Sequence, residues 1–170
     1  MGENTTDREV MEYDVIIVGA GPAGLACAIR LKQLNQDLTV AVIEKSAEIG
    51  AHILSGAVIE AGALDELLPG WQKKPPPVCV PVEHDEFAFL TTTSRYRLPT
   101  PPQQKNHGNF VVSLGALCAW MAPQAEALGV DIFPGYAASG IHFLTDGAVG
   151  GVIIGDMGVG RDGKARDTYM

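Results

Sequence analysis

The run Gly19-Ala20-Gly21-Pro22-Ala23-Gly24 directly follows the apolar segment Val15-Ile16-Ile17-Val18, and Glu44 closes a second apolar segment twenty residues after Gly24. Few folds are open to a strand that leaves its sheet through so short a glycine turn, enters a helix and returns as a second strand ending in an acid. The pattern is that of a βαβ unit built around a dinucleotide. Gly19 permits the tight turn out of the strand, Gly21 lets the backbone approach a pyrophosphate, and Gly24 allows the helix to pack closely on the sheet. Pro22 suits the first helical position, where its missing N–H would have had no partner and its φ is already helical. The remaining first-turn N–H groups and the positive end of the helix dipole then face phosphate, with Ala23 in that turn. Glu44 is positioned to accept hydrogen bonds from an adenosine ribose.

A glycine pattern alone is weak, and the flanking sequence supplies the rest. The segment after the loop places Gly24, Cys27, Ala28, Leu31 and Leu34 on one helical stripe, with Arg30 and Gln33 pointing elsewhere. A second strand is expected from Leu38 to Ile43, delivering Glu44 at its carboxyl end.

The chain has 170 residues, 46% of them hydrophobic and 19% charged, enough to bury the core of one domain. A net charge of −8, with no basic stripe, argues against nucleic acid as a partner. Cys27, Cys79 and Cys118 lie far apart and form no CxxC pair, which points to a reducing compartment and to packing roles. His52, His84, His107 and His142 are scattered without metal-ligand spacing, and no Ser, His and Asp constellation can be assembled. No segment approaches the roughly 18 consecutive apolar residues of a membrane-spanning helix, so any membrane contact is expected to be peripheral.

The expected organisation is a disordered acidic tail over residues 1–12, the first part of a nucleotide-binding domain over 13–72, an inserted segment over 73–109, and the domain continued over 110–170. The tail resembles neither a secretory signal nor a mitochondrial presequence. Glu60 to Leu68 reads as a short helix stopped by Pro69 and Gly70. The inserted segment is broken by Pro75-Pro76-Pro77, Pro81, Pro99, Pro101 and Pro102, with β-prone pieces such as Phe87 to Leu90 between them. From Phe87 to His107 it has no acid, while Arg95, Arg97 and Lys105 make it locally cationic. Phe110 to Val112 reads as a strand. A helix follows from Leu114 to Leu128, with Leu117, Met121 and Ala125 at fourfold spacing and Pro123 expected to kink or shift it. Val130 to Phe133 is a further expected strand, and Asp146-Gly147 joins the runs Ile141 to Leu144 and Val149 to Ile154 as a hairpin. Gly155-Asp156-Met157-Gly158 and the polar stretch to Met170 suggest the amino-terminal part of a larger protein, because a doubly wound sheet needs further strands.

FAD and NAD share an adenosine, a ribose and a pyrophosphate, so the glycine run serves either. A βαβ unit at the start of the chain, followed by a small-residue loop six residues beyond the acid, favours FAD in the manner of glutathione-reductase-type proteins. The candidate cofactor-binding residues are therefore Gly19, Gly21, Pro22, Ala23, Gly24, Glu44, Lys45, Gly50, Ala51, Ser55, Gly56 and Ala57. The expected fold class is α/β, the incomplete amino-terminal portion of a Rossmann-like FAD domain with a Pro-rich β insertion.

Lys45 through Ala57, with Glu48-Ile49-Gly50-Ala51-His52 and Leu54-Ser55-Gly56-Ala57, resembles the stretch after the FAD fingerprint in the electron-transfer flavoprotein:ubiquinone oxidoreductase family. Leu67-Leu68-Pro69-Gly70-Trp71, Tyr96-Arg97-Leu98-Pro99, Asn106-His107-Gly108-Asn109-Phe110 and Gln124 through Val130 resemble it too. Gly135-Tyr136-Ala137-Ala138 and Gly155 through Gly160 extend the resemblance over roughly residues 13 to 170. It implies an enzyme that takes electrons from reduced electron-transfer flavoprotein through FAD and a [4Fe-4S] cluster to membrane ubiquinone. The cluster ligands are expected later in the chain than these residues. The resemblance further implies a membrane-contacting segment near Phe87 to Gln104, with Phe87, Phe89, Leu90 and Leu98 as inserted side chains and Arg95 and Arg97 near headgroups. Pro101-Pro102-Gln103-Gln104 is more polar than that pattern, and Pro123 also departs from it. Together with the acidic tail, this gives the expectation of a protein peripheral on the cytoplasmic side of a bacterial inner membrane. Two alternatives are a flavin-dependent reductase of the geranylgeranyl reductase group and a non-catalytic nucleotide-binding module.

Overall fold

A computed structural model describes residues 9–54 and 56–155. The expected tail over residues 1–12 therefore falls mostly outside the described residues, as do Ser55 and the stretch from Asp156 to Met170. Three parallel strands form the central sheet: β1 (Val15–Val18), β2 (Val40–Glu44) and β8 (Val130–Pro134), in the order β1-β2-β8. The middle strand is buried from Val40 to Ile43, so its continuous apolar run matches a strand covered on both faces. The second strand thus begins two residues later than the expected Leu38, and Glu44 is its last residue. Below β1, the Thr39 N–H and Oγ1 both donate to Asp14 Oδ2, at 2.8 Å each, and hold that carboxyl below the usual carboxylate range.

α1 (Pro22–Leu34) starts with Pro22 in its first turn, as expected, and connects β1 to β2. Its buried stripe is Leu25, Ala28, Ile29 and Lys32, which corrects the expected frame. Cys27 is exposed and Leu34 is 71% exposed, so neither packs in the core. The reason lies at Lys32, whose stem crosses the apolar face while Nζ donates to Gln36 O (2.6 Å) and Leu38 O (2.8 Å) at the turn into β2. Burial of Leu25 and Ile29, each worth about 1.5–3 kcal/mol, fixes the helix against the sheet and a second helix.

That second helix is α3 (Leu114–Ala127), capped by Ser113, whose Oγ accepts from the Ala116 N–H at 3.4 Å. Leu117, Cys118, Met121, Ala122 and Ala125 are buried, which includes the three positions of the expected fourfold stripe. The helix runs through Pro123 as one element. Pro123 itself is exposed, so its ring faces solvent rather than the core.

A smaller antiparallel sheet sits beside this unit, made of β3 (Ala57–Ile59), β4 (Cys79–Pro81) and β7 (Phe110–Val112) in the order β3-β7-β4. Each of its strands comes from a different one of the three segments expected from sequence. α2 (Ala61–Leu67) follows β3 and ends before Pro69-Gly70 as expected. Trp71 is buried, donates through Nε1 to Asp65 Oδ1 (2.9 Å) and meets Phe110 edge to face at 5.1 Å.

Two hairpins complete the described chain. β5 (Phe87–Leu90) pairs with β6 (Arg95–Leu98), and β9 (Ala138–Phe143) pairs with β10 (Val149–Ile154). The first strand of the later hairpin starts three residues earlier than expected and ends before Leu144, which belongs to the turn. There Gly147 has a φ of +86° and the Ala148 N–H donates to Asp146 Oδ1 at 2.9 Å.

Candidate dinucleotide site

The glycine turn, Glu44 and the start of α1 meet at the carboxyl ends of the parallel strands, where open α/β sheets receive ligands. Gly19 takes a φ of +101° and its N–H donates to Ile43 O at 2.7 Å, which ties the turn to β2. Gly24 lies against that turn from the helix side: a Cβ on it would stand 2.0 Å from Gly19 O and 3.3 Å from Ile17 Cγ2. Gly21 differs, with an extended backbone and open space where a Cβ would point. The first bond within the helix runs from the Leu25 N–H to Gly21 O at 3.0 Å. Ala23 and Gly24 precede it, so their N–H groups lie in the turn whose donors have no intrahelical acceptor. Their dipoles and the opening above Gly21 fit a pyrophosphate.

Glu44 does more than end its strand. Its Oε2 accepts from the Ala20 N–H and its Oε1 from the Ser46 N–H, each at 2.9 Å. Ser46 is buried, and its carbonyl accepts from the Gly135 N–H at 2.8 Å, just beyond β8. The Cys118 side chain lies fully buried on α3 near this carboxylate. Burial first, and then the charge of Glu44, push its thiol up to about 11, so it stays protonated near neutrality and is no nucleophile there.

The small-residue loop is placed by one close approach. Gly50 has a φ of +87°, and a Cβ there would stand 2.3 Å from Gly115 O; a Cβ on Gly115 would stand 2.7 Å from Gly50 O. The loop therefore rests backbone to backbone on the first turn of α3. Lys45 and Ala51 are exposed, Gly56 is exposed with a φ of +90°, and Ala57 opens β3. Sequence reasoning missed Ala20, Ser46, Gly115 and Gly135. A signal existed for Gly115, since glycine inside a helix is costly by about 1 kcal/mol and invites a packing reason.

The six residues expected at a membrane divide between two faces of the β5–β6 hairpin. Phe87 stands opposite Leu98 and Phe89 opposite Tyr96, which form one face; Ala88 and Arg97, with Leu90 and Arg95, form the other. Arg95 is ion-paired with Glu86. Phe89, Leu90 and Tyr96 are well exposed, and Tyr96 was not among the expected residues. The base of the hairpin is held by Asp85, whose Oδ2 accepts from the Asn106 N–H (2.7 Å) and whose Oδ1 accepts from Asn106 Nδ2 (3.0 Å).

Among the described residues, no group of three or more His, Cys, Asp or Glu side chains could hold a metal ion, and no helix is long and apolar enough to cross a membrane.

Residues 3–61 match the Thi4 family. Among solved structures, a geranylgeranyl bacteriochlorophyll reductase-like protein from Thermoplasma acidophilum aligns with a TM-score of 0.63 at 24% identity, over 84% of this chain and 34% of that one. The flavin-dependent monooxygenase PieE, solved with FAD and substrate, aligns with a TM-score of 0.61 at 15% identity, over 81% of this chain and 26% of that one. These likenesses establish the fold: α/β, covering part of a Rossmann-type FAD-binding domain. Sequence relatives are much nearer. The mitochondrial electron transfer flavoprotein-ubiquinone oxidoreductase of Oryza sativa is 51% identical over 96% of this chain and 29% of its own length. Its human namesake is 48% identical over 96% of this chain and 27% of its own length. Identical at about half of its aligned positions and aligned over nearly all of its length, the chain is similar to a part of the electron transfer flavoprotein-ubiquinone oxidoreductases, of whose length it spans 27 to 29%.

Proposed function

We propose that this chain holds the adenosine and pyrophosphate end of FAD in an oxidoreductase that passes electrons from reduced electron-transfer flavoprotein to ubiquinone. The observation that carries the reading is the 46 to 51% identity to relatives of that name over almost the whole chain. The glycine turn supports the cofactor assignment: Gly19, Gly21, Pro22, Ala23 and Gly24 would cradle the pyrophosphate and Glu44 would take the ribose. Lys45, Gly50, Ala51, Gly56 and Ala57, with Ser55 outside the described residues, would line the path toward the flavin ring. FAD would supply single-electron exchange and two-electron reduction. A purified full-length parent is expected to release FAD on denaturation and to reduce ubiquinone when given reduced electron-transfer flavoprotein. A flavin-free parent, or one inert toward quinone, overturns the reading.

A [4Fe-4S] cluster would take its ligands from outside this chain. The three cysteines fall one short of a four-cysteine site, with Cys118 buried in the core and Cys27 exposed on α1. The geranylgeranyl-reductase alternative is supported only by a fold likeness at 24% identity, half that of the quinone-enzyme relatives.

For location, we propose a peripheral seat on a quinone-bearing membrane, with the Phe87, Phe89, Tyr96 and Leu98 face of the hairpin toward lipid and Arg97 near headgroups. The relatives named above carry the word mitochondrial in their names. In a flotation assay of the full-length parent with anionic vesicles, the double change Phe89→Ser and Tyr96→Ser should cut the bound fraction roughly severalfold, since each ring contributes buried apolar area. Unchanged flotation removes this hairpin from the contact.

A further inference from the structure

We infer that Glu44 is a positioning residue for the glycine loop, and that this role is separate from any bond it makes to a ribose. The inference rests on the reading of this site as a dinucleotide site. Both carboxylate oxygens are already engaged, Oε2 with the Ala20 N–H and Oε1 with the Ser46 N–H, each at 2.9 Å. An acid that served only to read a ribose would have no need to face both loops in this way. Ala20 is 1% exposed, so without Glu44 its N–H would be buried with no acceptor of its own. From Ser46 the linkage continues through its carbonyl to the Gly135 N–H at 2.8 Å. One side chain thus joins the ends of all three parallel strands: the turn after β1, the end of β2 and the segment after β8. A carboxylate has about four acceptor positions, so two N–H donors leave room for ribose hydroxyls. Glutamine cannot replace it, because its NH2 would face one of the two N–H groups.

The test crosses Glu44→Gln with two probes, ADP and 2′,3′-dideoxy-ADP, in the 170-residue chain, alongside amide hydrogen exchange without ligand. Exchange at whichever of Ala20 and Ser46 faces the introduced NH2 is expected to quicken by about tenfold or more in the variant, while Val42 in the core of β2 stays within about twofold of wild type. Dideoxy-ADP, which lacks the hydroxyls that Glu44 could read, is expected to bind the variant roughly fivefold or more weakly than wild type. Unchanged exchange at Ala20 and Ser46 overturns the inference, as does equal binding of dideoxy-ADP to both proteins. A loss of protection shared by Val42 also overturns it, because that marks general unfolding. If wild type fails to bind ADP, the dinucleotide reading falls, and the exchange data still decide whether Glu44 holds the loop.

Discussion

Gly24→Ala should lower the unfolding free energy by about 3 kcal/mol, at the upper end of the cost of overpacking, and abolish ADP binding. Helix propensity alone predicts the opposite, a gain of nearly 1 kcal/mol for replacing a helical glycine by alanine. The steric term decides. The new Cβ would stand 2.0 Å from Gly19 O and 3.2 Å from the Gly19 carbonyl carbon, and neither atom can retreat while the Gly19 N–H stays bonded to Ile43 O at 2.7 Å. Relief requires α1 to lift from the sheet, which opens contacts of Leu25 and Ile29 and moves the first-turn N–H groups away from phosphate. Gly62→Ala is the control, since Gly62 lies in α2 with nothing within 4 Å of a built Cβ. It should stabilise by roughly 0.4–1 kcal/mol. Urea unfolding of both variants reads the pair, and a Gly24→Ala midpoint at or above wild type would refute the close packing of helix on turn.

The sequence made legible those features whose cause is local. A glycine run between a strand and a helix carries its reason in the backbone, and Gly19, Pro22 and Glu44 stand where that reasoning puts them. The same holds for α2 before Pro69-Gly70, for the buried Leu117, Met121 and Ala125, and for the Asp146-Gly147 turn. The face of α1 was ambiguous because two frames fit an i, i+3, i+4, i+7 pattern. The true frame ends in a lysine, whose buried stem and satisfied amine cannot be read from residue type. Non-local pairings were not legible either. That Cys79–Pro81 joins Ala57–Ile59 across Phe110–Val112 depends on chain packing rather than on any of the three segments. At the site, Glu44 could be singled out as an acid, but its bonds to Ala20 and Ser46 depend on three strand ends converging.

Gly50→Ala carries the second large effect, and it separates two reasons for a glycine. At a φ of +87° an alanine costs about 1–2 kcal/mol in the left-handed region. Its Cβ would also stand 2.3 Å from Gly115 O and 2.9 Å from Gly115 Cα, adding about 1–3 kcal/mol of overpacking. Gly56→Ala isolates the first cost, because Gly56 has a φ of +90° and open space around a built Cβ. Gly115→Ala isolates the second, since its Cβ would meet Gly50 O at 2.7 Å from within a helix. Unfolding midpoints should therefore fall furthest for Gly50→Ala, with Gly56→Ala losing only the strain of its backbone. The double variant at 50 and 115 should lose less than the two single losses combined, because one displacement of the loop relieves both clashes. Equal losses for Gly50→Ala and Gly56→Ala would mean that the loop does not rest on α3. In that case the loop's small residues would have to be explained by something lying over its other side.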